Sequence, residues 1–342
     1  MFTFFKSDPI QSWFRAVAAT GDDTMIRFAK VSERRAELEW IKVSHAEFDG
    51  IGGFADILRG QGVEVEELPK NERIQEASWW PFLKSLPKHF ASRRASQEIL
   101  KWKDLGRERR RLSDEALPDP VRAWHVFSEE ETESLKKRAR ALGVSLNAVL
   151  LKMLDGAVRK DLQNEKAVIP WMVPVNLRGP LRRERDTQNH SSYLSVKVTT
   201  EGGSGEVQRE INGKLSTGEH WANWKSYALG AVIPACLKRK IVRKGRATAE
   251  WNLGVFSNLG VWDLEDEVQD PERQGGWLFV APVLRFLPFS AGVVTYQGRL
   301  SMTVQAHPDL TTSQEVVEQW LGDWRASMLG EIQEGISIVS CQ

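Results

Sequence analysis

The chain has 342 residues, 41% of them hydrophobic and 27% charged, and its formal net charge is +1. That is enough chain for one large domain or two lobes, and the near-neutral balance gives no global electrostatic reason to expect a nucleic acid or membrane partner. Cys236 and Cys341 are the only cysteines; they make neither a metal motif nor a disulfide framework, no apolar run reaches the ~18 residues of a membrane span, and the start MFTFFKSDPIQSWF lacks the basic n-region of a signal peptide, so a cytoplasmic protein is expected.

In chain order, Pro9 to Val17 reads as a short helix with Trp13, Phe14 and Val17 apolar. Residues 25–31 alternate and predict a strand, Ser32 to Arg35 a turn, and residues 36–44 a second strand. The pair should form an antiparallel hairpin that delivers His45. Gly50, Gly52 and Gly53 then open a helix over 51–60 with Phe54, Ile57 and Leu58 at helical spacing. Residues 61–120 are more polar. They contain an aromatic knot (residues 78–83), an arginine run (Arg107, Arg109, Arg110, Arg111) and a linker-like Leu117-Pro118-Asp119-Pro120. The arginine run reads as a solvated face or as a contact for the phosphates of a carrier.

Residues 123–127 predict a strand. Ser128-x-x-Glu131 is a capping box for a helix that stops at Gly143, and Ser145 caps a helix over 146–162. Strands are expected at 167–176, 190–200, 251–260, 277–283, 289–296 and 298–306, and helices at 204–218 and 226–243. A last helix follows a Thr312-x-x-Glu315 box and carries Val316, Val317, Trp320, Leu321 and Trp324 on one face. Without a strict βα repeat, the fold class is mixed α/β, in the α+β sense, with largely antiparallel sheets. The fourteen tryptophans read as core packing, or as the wall of a groove for apolar chains.

The stretch richest in chemistry is His45-Ala46-Glu47-Phe48-Asp49-Gly50. A histidine where a strand ends and a glycine-rich turn opens a helix stands at the lip of a sheet, and near neutral pH it can take a proton from an attacking hydroxyl or amine. Asp49 can pair with an arginine or cap the helix, and Gly50 allows a positive φ. No G-x-S-x-G elbow, metal cluster or phosphate loop is present, so a covalent acyl-enzyme, a metal enzyme and a nucleotide enzyme are not expected.

The H-x-x-x-D-G spacing resembles the active-site motif of the chloramphenicol-acetyltransferase-like superfamily, which includes condensation domains and wax ester synthase-type acyltransferases. Many members double the histidine; here Ser44 precedes it. Four further segments resemble the same superfamily in order: residues 123–154, VPVNLR at 173–178, FSNLG at 256–260, and residues 295–324. The resemblance implies a two-lobed sandwich, with residues 1–120 as an N-terminal lobe carrying the motif and 121–342 as a C-terminal lobe. Only 44 residues precede His45, which implies a shortened N-terminal lobe that a partner chain could complete.

The implied activity is transfer of an acyl group from acyl-CoA, or from a carrier-protein phosphopantetheine thioester, to a small-molecule hydroxyl or amine, with no bound cofactor. His45 would be the base. Asp49, paired with Arg27 or Arg178, would shape the loop. Ser257 and Asn258 would donate to the oxyanion, and Ser191 and Tyr193 would line the tunnel. His125, His190 and His307 read as structural. A freestanding condensation-type domain and a non-catalytic scaffold are the alternatives.

Overall fold

The protein is represented by a computed structural model, which describes residues 9–31, 38–71, 74, 79, 82, 101–105, 118–248, 252–264 and 276–339. The arginine run at 107–111, the turn at 32–35, most of the aromatic knot and Cys341 lie outside them.

The elements follow the hydrophobic periodicity closely. The first helix, α1 (Pro9–Ala18), precedes the hairpin β1 (Met25–Lys30) and β2 (Ile41–Ser44), paired antiparallel with Met25 opposite Ser44. Helix α2 spans Gly50–Gly60. After β3 (Val121–Val126), the Ser128–Glu131 box opens α3 (Glu129–Ala141): Ser128 Oγ accepts from Glu131 N at 3.1 Å, and Glu131 Oε2 accepts from Ser128 N at 2.8 Å. Gly143 ends the turn at φ +65°, and Ser145 caps α4 (Leu146–Arg159).

Strands β4 (Ile169–Asn176) and β5 (Ser191–Val198) pair along their full length. Helices α5 (Ser204–Ser216), α6 (Glu219–Gly230) and α7 (Ala235–Thr248) come next. The single helix expected over 226–243 is thus two, because Pro234 disfavours helical backbone at the residue before it. Then come β6 (Gly254–Trp262), β7 (Trp277–Val280), β8 (Phe289–Tyr296), β9 (Arg299–Ala306) and α8 (Gln314–Val339). The last helix is capped one residue later than the sequence suggested: Ser313 Oγ, not Thr312, accepts from Val316 N at 3.3 Å.

Among the described residues two sheets form, three-stranded β2-β1-β7 and six-stranded β3-β9-β8-β6-β4-β5, mixed but mostly antiparallel. The small sheet is closed by β7, from the second half of the chain, and β7 also packs against β8 and β9. The approach is close at Gly292, where a Cβ would stand 1.9 Å from the Phe279 carbonyl oxygen. Tryptophans supply much of the core: Trp171, Trp277, Trp320 and Trp324 are fully buried, and Phe54 meets Trp262 and Trp277 edge-on at 4.8 and 5.3 Å.

One junction is deliberately thin. The Pro170 carbonyl faces β6, accepting from Leu253 N at 2.8 Å, and Met172 and Pro174 share its parity, so the backbone groups of all three are directed to that edge, where proline has no N–H to give. Among the described residues the parallel β4–β6 ladder is reduced to Met172 opposite Val255. Met172, Pro174, Val255 and Ser257, at that junction, line a cavity of about 360 Å³ that also contains His45 on its wall.

Candidate active site

His45 follows β2 directly, its amide donating to the Thr24 carbonyl at 3.2 Å. The ring stacks on Phe14 of α1, centroids 4.1 Å apart. Its Nδ1 lies 2.9 Å from the Phe48 carbonyl oxygen, which can only accept, so Nδ1 carries the proton. The lone pair is therefore on Nε2. Burial pulls the imidazole below its usual pKa of 6.5, opposed by the Phe48 carbonyl and by the charge of Asp49. A neutral imidazole with an open Nε2 on a cavity wall is equipped to accept a proton.

Asp49 borders the same cavity, but its carboxylate is committed to partners of its own. Its carboxylate accepts from Gly52 N at 2.7 Å, Arg178 Nη2 at 2.8 Å and His190 N at 2.8 Å. Both members of the Asp49–Arg178 pair are buried, with side chains 5% and 4% exposed. The same side chain thus caps α2 and anchors the loop that precedes β5. Arg178 reaches further, donating from Nε to the Asp186 carbonyl at 2.9 Å and from Nη2 to the Gln188 carbonyl at 3.1 Å. Arg27 is not the partner of Asp49: it lies buried on β1 and pairs with Asp23 and Asp119.

The glycines act by closeness of approach. Gly50 has no positive φ, contrary to the expectation; a Cβ there would stand 2.6 Å from Leu259 Cδ2 and 3.1 Å from the Phe279 ring. At Gly52 a Cβ would lie 1.9 Å from the Thr187 carbonyl oxygen. Only glycine lets α2 and the 186–190 loop come this near.

That loop carries a residue the sequence did not single out. Asn189 is fully buried, its Oδ1 accepting from Ser191 N (3.1 Å) and Ser191 Oγ (2.7 Å). This fixes Nδ2 toward the His45 turn, where it donates to the His45 carbonyl at 3.2 Å and stands 3.2 Å from Nδ1. With Nδ1 protonated, the carbonyl is the acceptor. An Asn at a strand entry was the sole local signal. Phe14 gave none beyond its place on an apolar helix face.

Ser257 and Tyr193 line the cavity with His45, as does Ser191; Asn258 does not. Neighbouring residues of a strand point to opposite faces, and Asn258 turns away to donate to Asn147 Oδ1 at 2.6 Å while accepting from Gly260 N at 2.8 Å. The remaining walls are mostly apolar: Ile10, Trp13 and Val17 of α1, and Ile241 and Val242 of α7. Asn223 and Asn252 add polar groups. His125 and His307 lie off the cavity wall. Among the described residues no cluster of His, Cys, Asp or Glu could hold a metal.

No protein-family model and no curated protein sequence matches the chain. Solved structures do. Trichothecene 15-O-acetyltransferase from Fusarium sporotrichioides aligns over 95% of this chain and 75% of its own, at TM-score 0.57 and 12% identity. The epimerization domain from the third module of tyrocidine synthetase B aligns over 86% and 69%, at TM-score 0.53 and 12% identity. Polyketide synthase associated protein 5 from Mycobacterium tuberculosis aligns over 87% and 75%, at TM-score 0.51 and 15% identity. At such identities the likeness is one of architecture: the chain shares the fold of these proteins, as the H-x-x-x-D-G resemblance led one to expect.

Proposed function

We propose that the chain transfers an acyl group from a thioester, either acyl-CoA or a carrier-bound phosphopantetheine, to a hydroxyl or amine, with His45 as general base. The observation that carries this reading is the imidazole itself: Nδ1 committed to the Phe48 carbonyl, pKa lowered by burial, and the ring on the wall of a largely apolar cavity. The acetyltransferase with the same fold supports it.

In the step proposed, His45 Nε2 takes the acceptor proton as the acceptor heteroatom attacks the thioester carbon. The tetrahedral oxyanion collapses, the C–S bond breaks, and the thiolate takes the proton from the imidazolium. A new C–O or C–N bond remains, and no acyl-enzyme forms. Ser257 Oγ, on the same cavity wall, is the proposed donor to the oxyanion. Asp49 and Arg178 hold the loop and take no part in proton transfer.

The test is thiol release from a panel of short to long acyl-CoA and acyl-pantetheine thioesters, with wild type beside His45→Ala. Loss of a general base lowers the rate by about 10²–10⁴-fold. Histidine-dependent release is expected, and the better donor class separates free CoA from carrier-type substrates. Equal release by a folded His45→Ala protein would overturn the mechanism.

A further inference from the structure

The net charge of +1 conceals a strongly one-sided element. Helix α7 contains six basic residues, Lys238, Arg239, Lys240, Arg243, Lys244 and Arg246, and no acidic one. It is attached along a narrow line. Lys238 is buried, its Nζ donating to Ser12 Oγ at 2.6 Å and to the Ala231 carbonyl at 3.0 Å, and Val242, one turn on, is buried with it. Nearly everything else described on the helix faces solvent. Arg239, Lys240 and Arg243 are exposed, and among the described residues none of the three has a carboxylate partner. Leu237 and Ile241, one turn apart, are 46% and 42% exposed, and Val232 in the preceding turn is 74% exposed.

Exposed aliphatic side chains beside unpaired cations on one surface helix form the pattern of a helix that lies in a bilayer interface. The aliphatics enter the headgroup boundary while Lys and Arg stems extend their charges to the phosphates. An acidic protein surface would meet the cations but gives no reason for bare aliphatics of this size beside them. Position adds a second observation. Ile241 is both exposed and part of the cavity wall, so the cavity reaches the surface on this helix.

We propose that α7, with the turn before it, docks on an anionic lipid bilayer and sets the cavity mouth against the membrane. An apolar molecule would then pass from bilayer to cavity without crossing water. The docking itself does not depend on the acyl-transfer reading, and it is measured without turnover.

The test is co-sedimentation of the full chain with phosphatidylcholine vesicles, with and without phosphatidylserine, at low and high salt. Binding is expected with phosphatidylserine, weakening as salt rises. Each cation near such a surface multiplies affinity roughly fivefold. The combined Arg239→Gln, Lys240→Gln and Arg243→Gln variant is therefore expected to bind on the order of a hundredfold less tightly. Leu237→Ser should weaken binding severalfold through the lost apolar contact. All four side chains are exposed, and matching circular dichroism establishes that the variants fold. Failure of the wild type to bind phosphatidylserine vesicles overturns the proposal, as does equal binding by the triple variant. So does capture of an acidic acyl-carrier protein through the same cations while vesicles are ignored.

Discussion

The Asp49–Arg178 pair offers the most demanding test of how this site is held. Arg178→Met keeps much of the stem but removes the guanidinium, leaving a carboxylate 5% exposed with two backbone amides and no cation. It also strips the donors from the Asp186 and Gln188 carbonyls. Breaking one side of a buried ion pair costs about 3–5 kcal/mol, a large part of the ~5–15 kcal/mol by which folded proteins are stable. The assay is urea unfolding followed by tryptophan fluorescence, run as a double-mutant cycle with Asp49→Asn. An asparagine there can still cap α2 but brings no charge, so Arg178→Met on that background should cost less than alone, by about 1–3 kcal/mol. A cost for Arg178→Met under about 1 kcal/mol, or strict additivity in the cycle, refutes the view that this pair holds the turn that follows His45.

Two further outcomes are expected. Gly52→Ala places a methyl 1.9 Å from the Thr187 carbonyl and must displace the 186–190 loop, with Asn189 on it. It should cost about 1–3 kcal/mol and lower thioester turnover more than tenfold; a crystal structure of the variant with an unmoved loop would contradict this. Acid should act in one direction. His45, His125, His190 and His220 all have pKa values pulled below 6.5, with burial the largest cause in each. Below pH 6.5 the unfolded chain binds more protons than the native one, so stability rises with pH in that window and is lost as pH falls through the native values. Melting temperature should drop on acidification below pH 6.5, and the acidic limb of the transfer rate should lie below pH 6.5 as well. A limb above 6.5 would show His45 charged where a base is needed.

Much of the site was legible in the sequence because it is local. A strand, a histidine, an aspartate that caps a helix and glycines packed against neighbours all lie within residues 41–60, where period and capping rules apply. The choice of Arg178 over Arg27 was not legible: both are buried arginines near the motif, and only the path of the 178–190 loop separates them. Asn189 and Phe14 reach His45 from about 145 and 30 residues away, through contacts with no period. Asn258 was misjudged by one residue. In a strand, that one residue is the difference between two faces, and the sequence pattern FSN did not reveal which face held the cavity. The prolines of β4 were visible as interruptions, but their use in thinning a sheet junction became clear only once their side of the ladder was known.

The histidine hairpin also has an awkward place in the order of synthesis. Strand β1 is completed on one side by β2 and on the other by β7, whose Val280 sits opposite Arg27, roughly 250 residues later in the chain. A lone two-stranded hairpin is marginal in water. On the ribosome, then, the segment bearing His45 emerges well before β7 and waits unpaired on one edge until β7 has followed it. Long-range closures of this kind slow folding, so His45 should be among the last groups to reach its native setting. A nascent or truncated chain that stops before residue 277 would carry the whole motif and still lack the strand that holds it in place.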